Sequence, residues 1–210
     1  MKQDQQQVQT RSRLGLVMLA LIFIAPILFA FIVYKYRDLI PTETKNFGEL
    51  VVPARPLPAF DLQTVEGKDF NLEDMRSKWS YLYVVKNHCD ADCKLNLLKM
   101  RNARLGQGGE AQRVRYYLLY TRLPDNKDEL AELSQTYEKL TILTGNKTNT
   151  QPLLNTLQGV DGTNLPEVSG AKRVYMIDPI GNYMMYYNNG FEAIGIMEDL
   201  KFLLKSSQIG

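Results

Sequence analysis

The chain has 210 residues, with 25 Lys plus Arg against 23 Asp plus Glu, one His and two Cys. That length fits one ordinary domain with an appendage, or two very small domains. A net charge of +2 supplies no basic stripe for neutralising phosphates, so nucleic acid is not an expected partner, and 45% hydrophobic residues exclude disorder throughout.

Residues 1–13 form a short Gln-rich tail. Leu14 to Tyr34 is then a run of 21 residues with no charged side chain. At about 1.5 Å per residue it reaches roughly 30 Å, the thickness of a bilayer's hydrocarbon core. Pro26 is tolerable in such a helix, where local adjustment satisfies the freed carbonyl. The run is longer than a signal-peptide core and no small-x-small cleavage pattern follows, so residues 14–35 are expected to be an uncleaved anchor. Tyr34, Lys35, Tyr36 and Arg37 read as its interfacial end. Lys2, Arg11 and Arg13 precede the run while Lys35, Arg37 and Lys45 follow it, so the positive-inside comparison is a tie. From Leu39 onward there are 20 basic and 21 acidic residues, so the positive excess belongs to the anchor and its flanks.

Residues 36–58 carry Pro41, Pro53, Pro56 and Pro58 with little periodicity, and read as an extended linker. Residues 59–210 are then a domain of about 150 residues, enough to bury a core. Within it, FDLQTVEGKDFNL alternates around Glu66-Gly67 as a hairpin. Ser80 to Lys86 reads as a buried strand. After NHCDADC, the segment KLNLLKMRNARL suits a helix on Leu95, Leu98 and Leu105, ended by GQGGE. Val114 to Thr121 is a second buried strand, and Pro124-Asp125 opens a helix with Leu130, Leu133 and Tyr137. TNTQPLLNTLQGV contains a short helix with Pro152 in its first turn. Arg173–Asp178 and Asn182–Tyr187 flank a Pro179-Ile180-Gly181 turn, and Ala193 to Lys205 is an amphipathic helix. The order is hairpin, strand, helix, strand, helix, hairpin, helix: an α/β chain with a thioredoxin-like succession of elements. Trp79 and the tyrosines at 81, 83, 116, 117 and 120 are expected to be core.

Cys89 and Cys93 follow a predicted buried strand at the start of a predicted helix. A spacing of four on a helix puts both side chains on one face. The positive end of the helix dipole favours thiolate there, whereas Asp90 and Asp92 oppose it, and the sign of the balance stays open. Two such sulfurs can close a disulfide or hold a soft ion such as Cu(I). The alternative is an inert pair. His88, the single imidazole of the chain, can act as a third metal ligand if the loop curls back; otherwise it is a loop residue that tunes the thiols.

These blocks resemble the SCO/SenC proteins, membrane-tethered thioredoxin-fold factors for cytochrome c oxidase assembly. FDLQTVEGKDFNLEDMRSKWSYLYVVKNHCDADC is similar to the family's opening hairpin, strand and H-C-x-x-x-C motif. YYLLYTRLPDNKDEL, LTILTGN and VYMIDPIGNYMMYY are similar to its later blocks. The resemblance implies copper handling by Cys89 and Cys93, with a further His about five residues before Tyr175, near Gly170. No His stands there. Asp90-Ala91-Asp92 replaces the usual Pro-Asp-Val, Lys94 stands where Pro is common, and Thr121-Arg122-Leu123-Pro124 departs from an acidic D-P-x-R-D segment.

Two thiolates alone can bind Cu(I), hold Cu(II) poorly, and remain competent for exchange. The expected function is therefore support of oxidase copper-centre assembly by thiol–disulfide exchange through Cys89 and Cys93. The alternatives are a Cu(I) metallochaperone on the same cysteines, with His88, and a non-catalytic scaffold. The resemblance also implies a single-pass protein of a bacterial inner membrane, N-terminus cytoplasmic and domain periplasmic, whose partners are the membrane and oxidase subunits or another copper-site assembly protein.

Overall fold

The run WSYLYVV forms strand β4 (Trp79–Val85), in which every residue is buried, because it lies inside a sheet covered on both faces. The computed structural model describes residues 2–35, 46–158, 168–207 and 209, divided into two units, Met1–Lys45 and Asn46–Gly210.

In the first unit α1 (Lys2–Lys35) is one helix with Pro26 inside it. Its stretch Met18–Lys35 has a mean hydropathy of 2.4 over 18 residues, none of it buried. Ile22, Phe23, Ile27 and Phe29 are each close to 70% exposed, a cost in water that a hydrocarbon surround removes. α1 is thus a candidate membrane span. Tyr34 and Lys35 end it, while Tyr36, Arg37 and residues 38–45 of the expected linker lie outside the described residues.

The second unit holds β1 (Glu49–Pro56), β2 (Asp61–Thr64), β3 (Asp69–Asn71), α2 (Leu72–Met75), β4, α3 (Ala91–Leu105), β5 (Val114–Tyr120), α4 (Asp128–Thr136), β6 (Leu140–Thr144), α5 (Lys147–Leu157), β7 (Val174–Ile177), β8 (Asn182–Tyr187) and α6 (Ala193–Ser206). They make one eight-stranded sheet in the order β1-β8-β7-β4-β5-β6-β2-β3. β4, β5 and β6 run parallel, and β7 joins β4 antiparallel through Leu82↔Tyr175. Alternation along β4 divides the core. Tyr81, Tyr83 and Val85 pack with Leu97, Met100, Ile196 and Leu200 of α3 and α6. Leu82 and Val84 pack with Phe60, Phe70, Leu153 and Leu157 on the other side. Trp79 and the five tyrosines expected in the core are all buried.

Several expectations shift. Residues 49–56, expected in the linker, form β1 and pair with β8. Prolines at an edge strand cost no ladder bond when the missing N–H faces outward, so their presence did not preclude a strand. LTILT, absent from the predicted order of elements, is β6. In α3 the buried stripe is Cys93, Asn96, Leu97, Met100 and Ala103. Leu95, Leu98 and Leu105, read as its apolar positions, are 40–50% exposed. α4 begins at Asp128 rather than Pro124. The Asn146 side chain accepts from the Asn149 N–H at 2.9 Å, starting α5 at Lys147 and placing Pro152 in its second turn, not its first.

The entry of the chain into this unit is pinned by Asp199, a buried residue of α6. Its carboxylate accepts from the N–H groups of Phe47 (3.0 Å) and Gly48 (2.9 Å) and from the Tyr187 hydroxyl (2.9 Å). Gly195, one turn earlier, lies against Phe47: a Cβ there would stand 2.8 Å from Phe47 Cβ. Phe47 cannot retreat without loosening its bond to Asp199. Gly195→Ala is therefore expected to destabilise, because overpacking costs about 1–3 kcal/mol, more than the roughly 1 kcal/mol that Ala gains over Gly in a helix. A fall in the urea midpoint without a change in slope would show it.

Candidate functional site

β4 delivers the chain to the N-terminus of α3, and the short loop between them carries His88, Cys89 and Asp90. Two backbone bonds continue the β4–β5 ladder into this loop, Thr121 N–H to Val85 O (3.0 Å) and Arg122 N–H to Lys86 O (2.8 Å). The Asp90 side chain then caps α3 by accepting the Cys93 N–H at 2.9 Å, the local reason the helix starts at Ala91.

The cap revises the expected geometry of the cysteines. Cys93 is the third residue of α3 and Cys89 lies before the cap, so the pair does not share a helix face. The bend brings their Cα atoms to 5.1 Å, and the two sulfurs are joined in a disulfide. Both residues are only 1% exposed.

Glu129 of α4 completes the underside of the loop. Its Oε1 accepts from the Cys89 N–H at 2.8 Å and from the Tyr120 hydroxyl at 2.6 Å, and its Oε2 lies 2.6 Å from His88 Nδ1. Burial pushes this carboxyl up, but the bonds from Tyr120, Cys89 and His88 outweigh it and hold the group below the usual carboxylate range. Burial and the adjacent carboxylate push the Tyr120 hydroxyl well up in turn. Glu129 did not stand out in the sequence. The available signal was its spacing of four from Leu133, which sets a carboxylate on the buried stripe of α4. His88 is brought to Glu129, and its side chain is 66% exposed.

Across the cysteine turn stands Lys172. Its Nζ pairs with Asp90 at 2.9 Å and with Asp92 at 2.5 Å. Asp90 is held below the usual carboxylate range, first by the Cys93 N–H and, against the effect of burial, by Lys172. The Asp92 and Asp90 carboxylates raise the Lys172 ammonium. Lys172 lies two residues after Gly170, the region where the resemblance called for an imidazole. That segment does approach the cysteine turn, but it contributes a cation.

The donor set departs from two cysteines plus a distal His, because an ammonium group stands where the resemblance called for that imidazole. In this oxidised state the sulfurs are joined to each other, and His88 Nδ1 pairs with Glu129, which leaves Nε2 as the ring's ligand atom. Among the described residues no group of three or more His, Cys, Asp or Glu is disposed to hold a metal ion. Reduction would free two thiols, a set that suits Cu(I) as a transferred ion rather than a resident centre.

Comparison with known proteins agrees with the fold. Residues 79–207 match the family described as transmembrane-like, thioredoxin-like, C-terminal domain. Comparison with functionally curated proteins finds no match. Among solved structures, yeast Sco1 with copper bound is 17% identical with a TM-score of 0.59, covering 74% of this chain and 91% of that one. Arabidopsis thaliana ScoI with copper bound is 17% identical with a TM-score of 0.56, covering 71% and 98%. BsSco, described as a Sco-family cytochrome c oxidase assembly protein with a disulfide switch, is 16% identical with a TM-score of 0.55, covering 74% and 96%. At these identities the likeness is one of fold. By its matched family and its architecture, the chain belongs to the transmembrane-like, thioredoxin-like C-terminal domain family and is SCO/SenC-like in fold.

Proposed function

We propose that this protein is a membrane-anchored thiol–disulfide exchange factor acting through Cys89 and Cys93 in the assembly of an oxidase copper centre, its domain on the periplasmic side of a bacterial inner membrane. The observation that carries the reading is a disulfide at a strand-to-helix junction, backed by a carboxylate and faced by an ammonium group where a third metal ligand would be needed. In the reduced protein, the Cys89 thiolate attacks one sulfur of a substrate disulfide. This forms a Cys89–substrate disulfide and releases the other substrate sulfur as thiolate. Cys93 then attacks Cys89 Sγ, closing the Cys89–Cys93 bond and releasing the second substrate thiolate. Two electrons pass to the substrate, and a dithiol donor must return them. Because both sulfurs lie beneath the surface, a partner reaches Cys89 by displacing the loop that carries the exposed His88.

The test is the redox equilibrium of the full chain in detergent micelles, read by thiol trapping across dithiothreitol buffers. A reversible couple is the expected result. Resistance to reduction in the folded protein would make the pair a structural staple. Anaerobic Cu(I) titration of the reduced protein separates the chaperone reading, which requires one equivalent bound through the cysteines. The exposed Leu95, Leu98 and Leu105 on the outer side of α3 favour a second reading, a scaffold that docks oxidase subunits. It requires assembly to survive the loss of both cysteines in a folded protein.

A further inference from the structure

Lys172 adopts φ +51, in the left-handed region that residues with a Cβ rarely enter. From there its ammonium group bridges Asp90 and Asp92. Asp90 spans two partners: Oδ2 meets Lys172 while Oδ1 caps the Cys93 N–H. One carboxylate thus connects the ammonium group to the backbone of a reactive cysteine. The three side chains are 37–46% exposed, and ion pairs so exposed add little to stability. Their effect on charge is larger. Asp90 and Asp92 within the cysteine turn, and Glu129 behind it, oppose any negative charge that forms on sulfur, and the ammonium group compensates the first two.

We propose that Lys172 is a positioning residue that sets the redox equilibrium of the Cys89–Cys93 pair through Asp90 and Asp92, a role that rests on the exchange reading above. The couple is the protein disulfide plus a donor dithiol going to the protein dithiol plus the donor disulfide. Two electrons and two protons move to Cys89 and Cys93, and ionisation of one product thiol leaves a thiolate at the turn. Glu129 is present in either case; with Lys172 the thiolate forms beside a compensated Asp90–Asp92 pair, and without it beside two bare carboxylates.

The experiment compares wild type, Lys172→Met, Lys172→Arg and Asp92→Asn as full chains in detergent micelles. The equilibrium with reduced and oxidised dithiothreitol is read by thiol trapping at about pH 8.5, where an ordinary thiol is half ionised. Lys172→Met is expected to lower the equilibrium constant for reduction about three- to tenfold, about 15–30 mV toward more negative potential. Lys172→Arg should stay within about twofold of wild type, since it keeps the charge. Asp92→Asn should move the constant the opposite way, and it decides the sign should Lys172→Met fail to fold. An unchanged constant in Lys172→Met, or Asp92→Asn shifting in the same direction as Lys172→Met, overturns the inference while leaving exchange intact. A pair that resists reduction in every variant overturns both.

Discussion

Under the proposed exchange, Cys93→Ser is expected to convert the protein from a turnover reagent into a trap. With Cys89 left as the attacking thiol and no resolving partner, the first exchange step proceeds and the second cannot. A disulfide-linked adduct with the substrate protein should accumulate, visible on non-reducing gels and dispersed by dithiothreitol. Cys89→Ser should abolish both adduct and turnover. The asymmetry is the decisive feature, because either substitution removes the same internal bond. The bond closes a very short loop, so the loop-entropy account assigns it only about 2 kcal/mol. Both variants should therefore fold, and a difference between them reports chemistry rather than collapse. Equal behaviour of the two variants, with no adduct in either, would count against exchange and in favour of the scaffold reading.

The second large effect belongs to Glu129. Removing its carboxylate in Glu129→Ala strands the Cys89 N–H and the Tyr120 hydroxyl below the surface, at about 1–2 kcal/mol for each unsatisfied donor. A loss of about 2–4 kcal/mol would lower the melting temperature by several degrees in a domain of this size. The same change frees the Cys89 backbone, and in the proposed exchange misplacing its sulfur by about 1 Å can cost up to 100-fold in rate. Glu129→Gln keeps an oxygen acceptor and the volume, so it should lose less stability. It also separates charge from packing by pH. The Glu129 carboxyl sits below its ordinary value in the folded protein. Its contribution to stability is therefore present above the ordinary carboxylate range and is lost as pH falls through the lowered folded value. Wild type should lose stability more steeply on the acid side than Glu129→Gln. Parallel acid-side profiles would show that the charge on Glu129 adds nothing to stability.

Much of this was legible because it is written in local pattern. Uninterrupted apolar length marks α1, and continuous β-rich runs mark β4 and β5. A Pro-x-Gly turn between alternating segments marks β7 and β8. The position of Cys89 and Cys93 after a buried strand could be read the same way, as could the lack of a histidine near Gly170. What local pattern could not convey was partnership. β1 hides among prolines because an edge strand needs only one set of ladder bonds, supplied here by β8. Leu95, Leu98 and Leu105 looked like a core stripe, but the sheet lies against Cys93, Leu97 and Met100 instead, a stripe at i, i+4 and i+7 whose core neighbours come from distant strands.

The site divides along the same line. Sequence by itself determined which atoms are available for chemistry: two sulfurs, one imidazole, and no third ligand where the resemblance asked for one. Only the tertiary structure decided what surrounds them. Glu129 is 40 residues from Cys89 and Lys172 is 80 from Asp92, and neither separation leaves a trace in any short window. Parallel pairing of β4 with β5 carries Tyr120 and α4 to one side of the cysteine turn, and antiparallel pairing of β4 with β7 carries Lys172 to the other. The charge environment of a thiol is a property of what the sheet brings together, and that sum exists only once the strands have paired.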